Sequence, residues 1–489
     1  MHFEKPFYIF KIEVKMVFSS LEFLYLFLPA TLILYFLSPL RWRNFILLIV
    51  SLAFYGWGEP IYVFLMIFTV AADYLFGLAV EKRKKRGKTP RPVLVAAVIF
   101  NLTVLGSFKY ADFLILNLSK LNAFSSLRPM GLSLPIGISF YTFQALSYVI
   151  DVAREDASAQ RSPVDFGTYI TMFPQLVAGP IVRYADIEKQ LSSRKHTLID
   201  AISGFRTFSV GLAKKVILGN SFGALFEYVR DLSPSSRTAV GAWFGIICFT
   251  LQIYFDFSGY SDMAIGLGKL FGFRFPENFN YPYLSRSVTD FWRRWHITLS
   301  TWFREYIYIP LGGNRKGRAR TYLNLLAVWS LTGLWHGAGW NFIIWGLYYF
   351  ILLVIEKAFL LRLLEKLPRL ISWSYAITAV ILGWLIFAFD GSLSTLSLGS
   401  GLIYLKNMFG VGGAGFLTRL DIYDILRNAP LLIIAIIAAT PYPRRIFYKF
   451  YEKSAAADIF ASVVSLGCLF LCTAYLVGSA YNPFLYFRF

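Results

Sequence analysis

The residue type and setting best suited to chemistry are those of His336, in the run Gly333-Leu334-Trp335-His336-Gly337-Ala338-Gly339-Trp340. It closes a long apolar stretch, and ionisable groups in such stretches mostly face a bundle interior or an aqueous path. Near neutral pH an imidazole can accept a proton and return it. The flanking glycines carry no side chain and let a substrate or a neighbouring helix come close. From position alone His336 is either a general base or a structural histidine bonded to the next helix.

His296 stands in Phe291-Trp292-Arg293-Arg294-Trp295-His296. Phe291, Trp295, Leu299, Trp302 and Tyr306 recur at three- and four-residue intervals, so the spacing predicts one amphipathic helix. On it Arg293, His296 and Ser300 would share a polar strip suited to an anionic donor bearing phosphates. The plain alternative is a surface helix whose arginines meet lipid headgroups. Asp256 and Asp262 interrupt another apolar run and point to the protein interior. Lying off a common helical face, they argue for ion pairing, or for capping at a helix break near Gly259, over paired acid/base work. Gln144, Gln175 and Asn324 are similar polar interruptions, and with the residues above they make up the candidate donor and substrate path.

The sequence holds no GxSxG elbow, Walker loop, GxGxxG or HExxH, so neither an activated serine nor a metal has support. Cys248, Cys468 and Cys472 lie in apolar runs without a CxxC and read as reduced, buried thiols. Histidines at 2, 196, 296 and 336 have no zinc-site spacing. No metal and no bound cofactor are expected, and histidine remains as the base.

The elements that must position these groups are membrane helices. Hydrophobic residues make up 57% of the 489 and charged residues 16%, against about 45–50% and about 25% in soluble domains. About 20 apolar residues cross a hydrocarbon core. About twelve crossings are expected, near 22–40, 44–57, 60–80, 92–118, 132–152, 201–222, 240–266, 321–336, 340–361, 371–390, 429–443 and 459–480. Phe166–Tyr184 and Phe291–Leu311 are too broken to span and read as re-entrant or interfacial pieces lining a cavity. The stretch 391–428, with Gly410–Gly415, reads as an outside loop, either a plain surface loop or a lid or docking element.

The net charge is +20, but it is not spread as in a nucleic-acid binder. Residues 81–91 hold seven basic residues and one acid, and 285–320 hold eight and two. These loops, with Arg41, Arg43, Arg183–Lys195 and Arg444–Lys453, follow the positive-inside pattern and are placed in the cytoplasm. Both termini then lie outside, with His296 near the cytoplasmic face and His336 near the opposite one.

Six stretches carry a resemblance: Leu134-Pro135-Ile136-Gly137-Ile138-Ser139-Phe140-Tyr141-Thr142-Phe143-Gln144, Phe173-Pro174-Gln175-Leu176-Val177-Ala178-Gly179-Pro180, Gln252–Asp262, Phe291–His296, Tyr306–Arg315 and Leu334–Gly337. With Met16–Ser20 and Asn482–Phe487 at the ends, the chain resembles the membrane-bound O-acyltransferase family, in particular its alginate and polysaccharide O-acetyltransferase branch. The likeness implies an all-α polytopic membrane protein: a ring of about 11–12 transmembrane helices, plus re-entrant or interfacial helices, around a central tunnel. It implies a single transmembrane domain over 16–489, with 1–15 an N-terminal extension and Met16 the start. It assigns the catalytic role to His336 and a second histidine role to His296. The implied activity moves an acetyl group from a cytoplasmic donor, acetyl-CoA, across the bacterial cytoplasmic (inner) membrane to an extracytoplasmic polysaccharide. Transfer would be direct or through an extracytoplasmic SGNH-type acetyltransferase, with exopolysaccharide export machinery and membrane lipid as further partners. The alternatives are D-alanyl transfer to teichoic acid from a carrier protein, and a non-enzymatic transporter or export scaffold.

Overall fold

A computed structural model describes residues 16–177, 179–389, 398–451, 455–478, 481–483 and 485. The expected extension over 1–15 lies outside the described residues, as do 390–397 of the predicted outside loop. The chain is all-helical. The elements are α1 (Leu28–Leu37), α2 (Arg43–Gly58), α3 (Tyr62–Lys85), α4 (Arg91–Leu118), α5 (Ile138–Arg154), α6 (Pro163–Thr171), α7 (Phe173–Leu176) and α8 (Tyr184–Ser192). They continue with α9 (Leu198–Ala213), α10 (Asn220–Asp231), α11 (Ala239–Leu270), α12 (Val288–Arg294), α13 (Ile297–Phe303), α14 (Gly317–His336) and α15 (Trp340–Ile355). The remainder are α16 (Leu361–Lys366), α17 (Arg369–Ala388), α18 (Leu398–Met408), α19 (Arg419–Ala438), α20 (Tyr442–Tyr451) and α21 (Ala455–Gly478).

A helix stands at each of the twelve predicted crossings. Among the described residues six are long and apolar enough to span by themselves, or seven with the bent pair α19–α20, and the chain is a multi-pass membrane protein. The predicted outside loop is partly helical, since α18 and the start of α19 occupy it.

The buried axis is α11. Of its most apolar window 83% is buried, against 17% for α4 and 28% for α3. Helices α7, α9, α10, α17 and α18 pack around it. Its closest neighbour is α9, through glycines seven residues apart on each helix. A Cβ on Gly211 would sit 2.5 Å from the Gly259 carbonyl, and one on Gly204 would sit 2.7 Å from that of Gly266. Small residues at such crossings let backbones meet where hydrophobic driving force between helices is absent. The predicted helix break at Gly259 does not occur, because this glycine serves helix contact within a continuous α11.

The loops sort into two faces. On one, Lys84 pairs with Glu155 at 2.8 Å, Arg274 with Asp200 at 3.7 Å and Arg444 with Glu277 at 3.3 Å. Arg43 lies 3.0 Å from His196 on the same face. On the other, Tyr62 meets Ser133, Trp340 donates to Asn117, and Arg237 donates to Asn407. Arg43, Lys84 and Arg444, which the charge pattern groups together, thus share one face.

Candidate active site

His296 sits where the expected amphipathic helix breaks. Helix α12 ends at Arg294 and α13 begins at Ile297. Between them His296 is left-handed, φ 44° and ψ 56°, a conformation that costs a non-glycine residue about 1–3 kcal/mol. The segment 278–280 holds the break open: Asn280 N–H donates to the Arg294 carbonyl and Ile297 N–H to that of Asn278, both at 2.9 Å. The break turns His296 inward, 1% exposed, and leaves Arg293 on the surface. The predicted strip of Arg293, His296 and Ser300 therefore does not form. Ser300 is half-buried and donates to the Trp292 carbonyl.

The Asn278 side chain fixes the His296 tautomer. Its Oδ1 accepts from Thr298 N–H at 3.3 Å, and a backbone N–H can only donate, so the atom there is the oxygen. The same oxygen accepts from Thr298 Oγ1 at 2.9 Å and lies 3.0 Å from His296 Nδ1. His296 Nδ1 is thus inferred to carry the proton. In the neutral ring Nε2 then holds the lone pair, and it is buried with no protein hydrogen-bond partner among the described residues.

Helix α12 is itself held by a carboxylate. Glu356, 1% exposed, accepts from Val288 N–H at 2.6 Å, Thr289 N–H at 2.8 Å and the Thr289 hydroxyl at 2.6 Å. A carboxylate on these first amides satisfies orphan donors and meets the positive end of the helix dipole.

His336 ends α14, because Gly337 continues in extended conformation. It is buried, and its Nδ1 has no protein partner among the described residues. The rings of Trp345, Trp335 and Phe387 surround it at 4.8, 4.9 and 5.2 Å. The neighbouring glycines serve helix packing: a Cβ on Gly346 of α15 would lie 3.3 Å from Gly333 Cα, and Gly337 abuts the Phe342 ring.

The two histidines, expected near opposite faces, share one tryptophan. Trp335 lies 6.1 Å from the His296 ring and 4.9 Å from the His336 ring. Beside them is a cavity of ≈ 20 Å³, room for about one water. Ile253, Asp256, Phe257, Trp295, His336, Trp345, Trp384, Phe387 and Leu485 line it. Phe257 meets His296 edge-on at 4.6 Å, which joins the second imidazole to this wall.

Asp256 and Asp262 are ion-paired. Asp256 Oδ1 lies 2.8 Å from Lys215 Nζ, and Asp262 Oδ2 lies 2.6 Å from Lys214 Nζ. Asp256 Oδ2 also accepts from Leu485 N–H at 3.0 Å, and Lys215 donates to the Pro483 carbonyl. The C-terminal segment is thereby pinned as a wall of the cavity. Gln144 and Gln175 are buried around Tyr169, which donates to the Val182 carbonyl. Gln175 donates to the Tyr169 carbonyl, whereas both polar atoms of the Gln144 amide have no protein partner among the described residues. Asn324 is remote from the cavity. It lies twelve residues before His336 on α14, about 18 Å along the helix, and donates to the Gly313 carbonyl at 3.0 Å.

Lys109, Tyr110, Lys215, Asn278 and Glu356 are missed by the motif reading. The two lysines had a signal, since each is a cation within an apolar stretch. Asn278 had none, because it lies in a polar loop. Among the described residues no cluster of His, Cys, Asp or Glu could hold a metal ion.

Two imidazoles walled by aromatic rings stand inside a multi-pass helical bundle. Residues 116–398 match the model of the membrane-bound O-acyltransferase family, MBOAT. The chain belongs to this family and is an O-acyltransferase. It is 46% identical, over 76% of its length and 75% of the relative's, to the probable alginate O-acetylase AlgI of Azotobacter vinelandii. A Pseudomonas putida protein of the same description is 38% identical over 97% of this chain and 100% of its own. The peptidoglycan O-acetyltransferase of Helicobacter pylori is 32% identical over 81% of this chain and 80% of its own.

Proposed function

We propose that this chain O-acetylates an extracytoplasmic polysaccharide, taking the acetyl group from acetyl-CoA on the cytoplasmic side of the bacterial inner membrane. The observation that carries the reading is the pairing of His296 and His336 across Trp335 beside one cavity. The names of the relatives supply the acetyl group and the glycan class. The basic face is assigned to the cytoplasm by the positive-inside pattern.

His336 acts as general base. It takes the proton of an acceptor hydroxyl, whose oxygen attacks the thioester carbonyl. The C–S bond breaks, the ester C–O bond forms, and the proton passes to the departing thiolate. His296, with Nε2 as acceptor, holds the donor side of the centre. A base in place contributes about 10²–10⁴-fold. The acceptor hydroxyl belongs either to the glycan or to an SGNH-type partner transferase at the outer face, which passes the acetyl group on.

Everted membrane vesicles given acetyl-labelled CoA test this. Alkali-labile label should appear on lumenal glycan, and its dependence on partner transferase enclosed in the lumen separates the two acceptors. Label that stays on CoA, or D-alanyl esters formed from a carrier protein in its place, would contradict the proposal.

A further inference from the structure

We propose that Lys109 is a positioning residue for His336, acting through the backbone of the last turn of α14; this rests on the reading of His336 as the base. The last four carbonyls of a helix have no partner within it. At the end of α14 two of them are taken by consecutive side chains of α4. Lys109 donates to the Trp335 carbonyl, and Tyr110 donates to the Leu334 carbonyl. The Trp335 carbonyl belongs to the peptide that joins Trp335 to His336, so this contact fixes the rotation of the catalytic residue's own peptide plane.

Three further observations mark the contact as built. Lys109 Nζ also donates to Ser139 Oγ of α5 at 3.3 Å, and it stands 5.8 Å from the Trp335 ring centroid. It thereby joins three helices at one point. Helix α4 is otherwise a peripheral span, on which a cation is costly unless it has a task. The negative end of the α14 dipole also favours a positive charge at this place. Lys109 does not line the cavity, so its contact with the centre runs through Trp335 and the peptide that Trp335 shares with His336.

The test is the steady-state kinetics of the full chain in proteoliposomes, with Lys109→Met, Lys109→Arg and His336→Ala compared at equal folded protein. Lys109→Met should lower kcat about 100-fold, the scale of a 1 Å misplacement of a reacting group, with KM for acetyl-CoA unchanged. Lys109→Arg keeps a cationic donor and should recover activity to within about tenfold of the parent. A Lys109→Met kcat within about threefold of the parent, a loss confined to KM, or an arginine variant as poor as the methionine one would each overturn the proposal. Should Lys109→Met fail to accumulate, Tyr110→Phe is read in its place. A kcat loss of about tenfold there supports the clamp, and no loss overturns it. Activity retained in His336→Ala would instead overturn the base reading, which separates the two failures.

Discussion

At the scale of single residues, the site is an exercise in fixing imidazoles. Asn278 holds His296 by one oxygen that also accepts twice from Thr298. Asn278→Ala removes that acceptor, frees the ring to change tautomer and takes the shared acceptor from both Thr298 donors. The expected result is a kcat about 10–100-fold lower, measured as acetyl transfer at saturating donor, with the protein still inserted. An unchanged kcat would show that the Nε2 lone pair is not needed. His336 was legible in the sequence as a polar residue closing an apolar stretch and His296 as part of a polar strip on an amphipathic helix, but their partners were not. The apolar period of Phe291, Trp295, Leu299, Trp302 and Tyr306 runs straight across the break at His296. What makes the break is hydrogen bonding to residues 278 and 280, some sixteen positions upstream, and no local pattern encodes that.

At the scale of elements, two devices set the frame. Glycines 204, 211, 259 and 266 let α9 lie against the buried axis α11. Gly211→Leu would force side-chain atoms into the Gly259 carbonyl and the Met263 backbone, an overpacking worth about 1–3 kcal/mol. A lower thermal midpoint in detergent and reduced membrane yield are expected, and an unchanged midpoint would refute the close contact. The second device is Glu356, which caps α12 and so holds the start of the α12–α13 pair. Glu356→Gln keeps the volume and loses the charge. It should lower the thermal midpoint and kcat together, because the cap holds the helix that leads to His296. Helix positions were readable from hydropathy at all twelve crossings. The fate of Gly259 was not, since a glycine in an apolar run reads equally as a break or as a helix contact, and only the partner helix decides.

At the scale of the whole molecule, charge sorts the loops and the histidine centre joins what the loops separate. Single cysteines at Gly87 and Gly412 lie on the basic and the opposite face respectively, in a chain whose own thiols lie in membrane helices. An impermeant maleimide added to intact cells should label Gly412→Cys and spare Gly87→Cys until the cells are opened. The reverse pattern would invert the orientation. Loop charge had placed the two histidines near opposite faces, whereas the break between α12 and α13 brings His296 within one tryptophan of His336. The central claim is that His336 performs the transfer in that shared centre. Its most direct test is the ester-bound acetate on surface glycan from a deletion strain carrying either the parent chain or His336→Ala at matched membrane levels. Acetate should be restored by the parent, with none above the deletion background for His336→Ala; acetate at the parent's level in the variant would rule out His336 as the base.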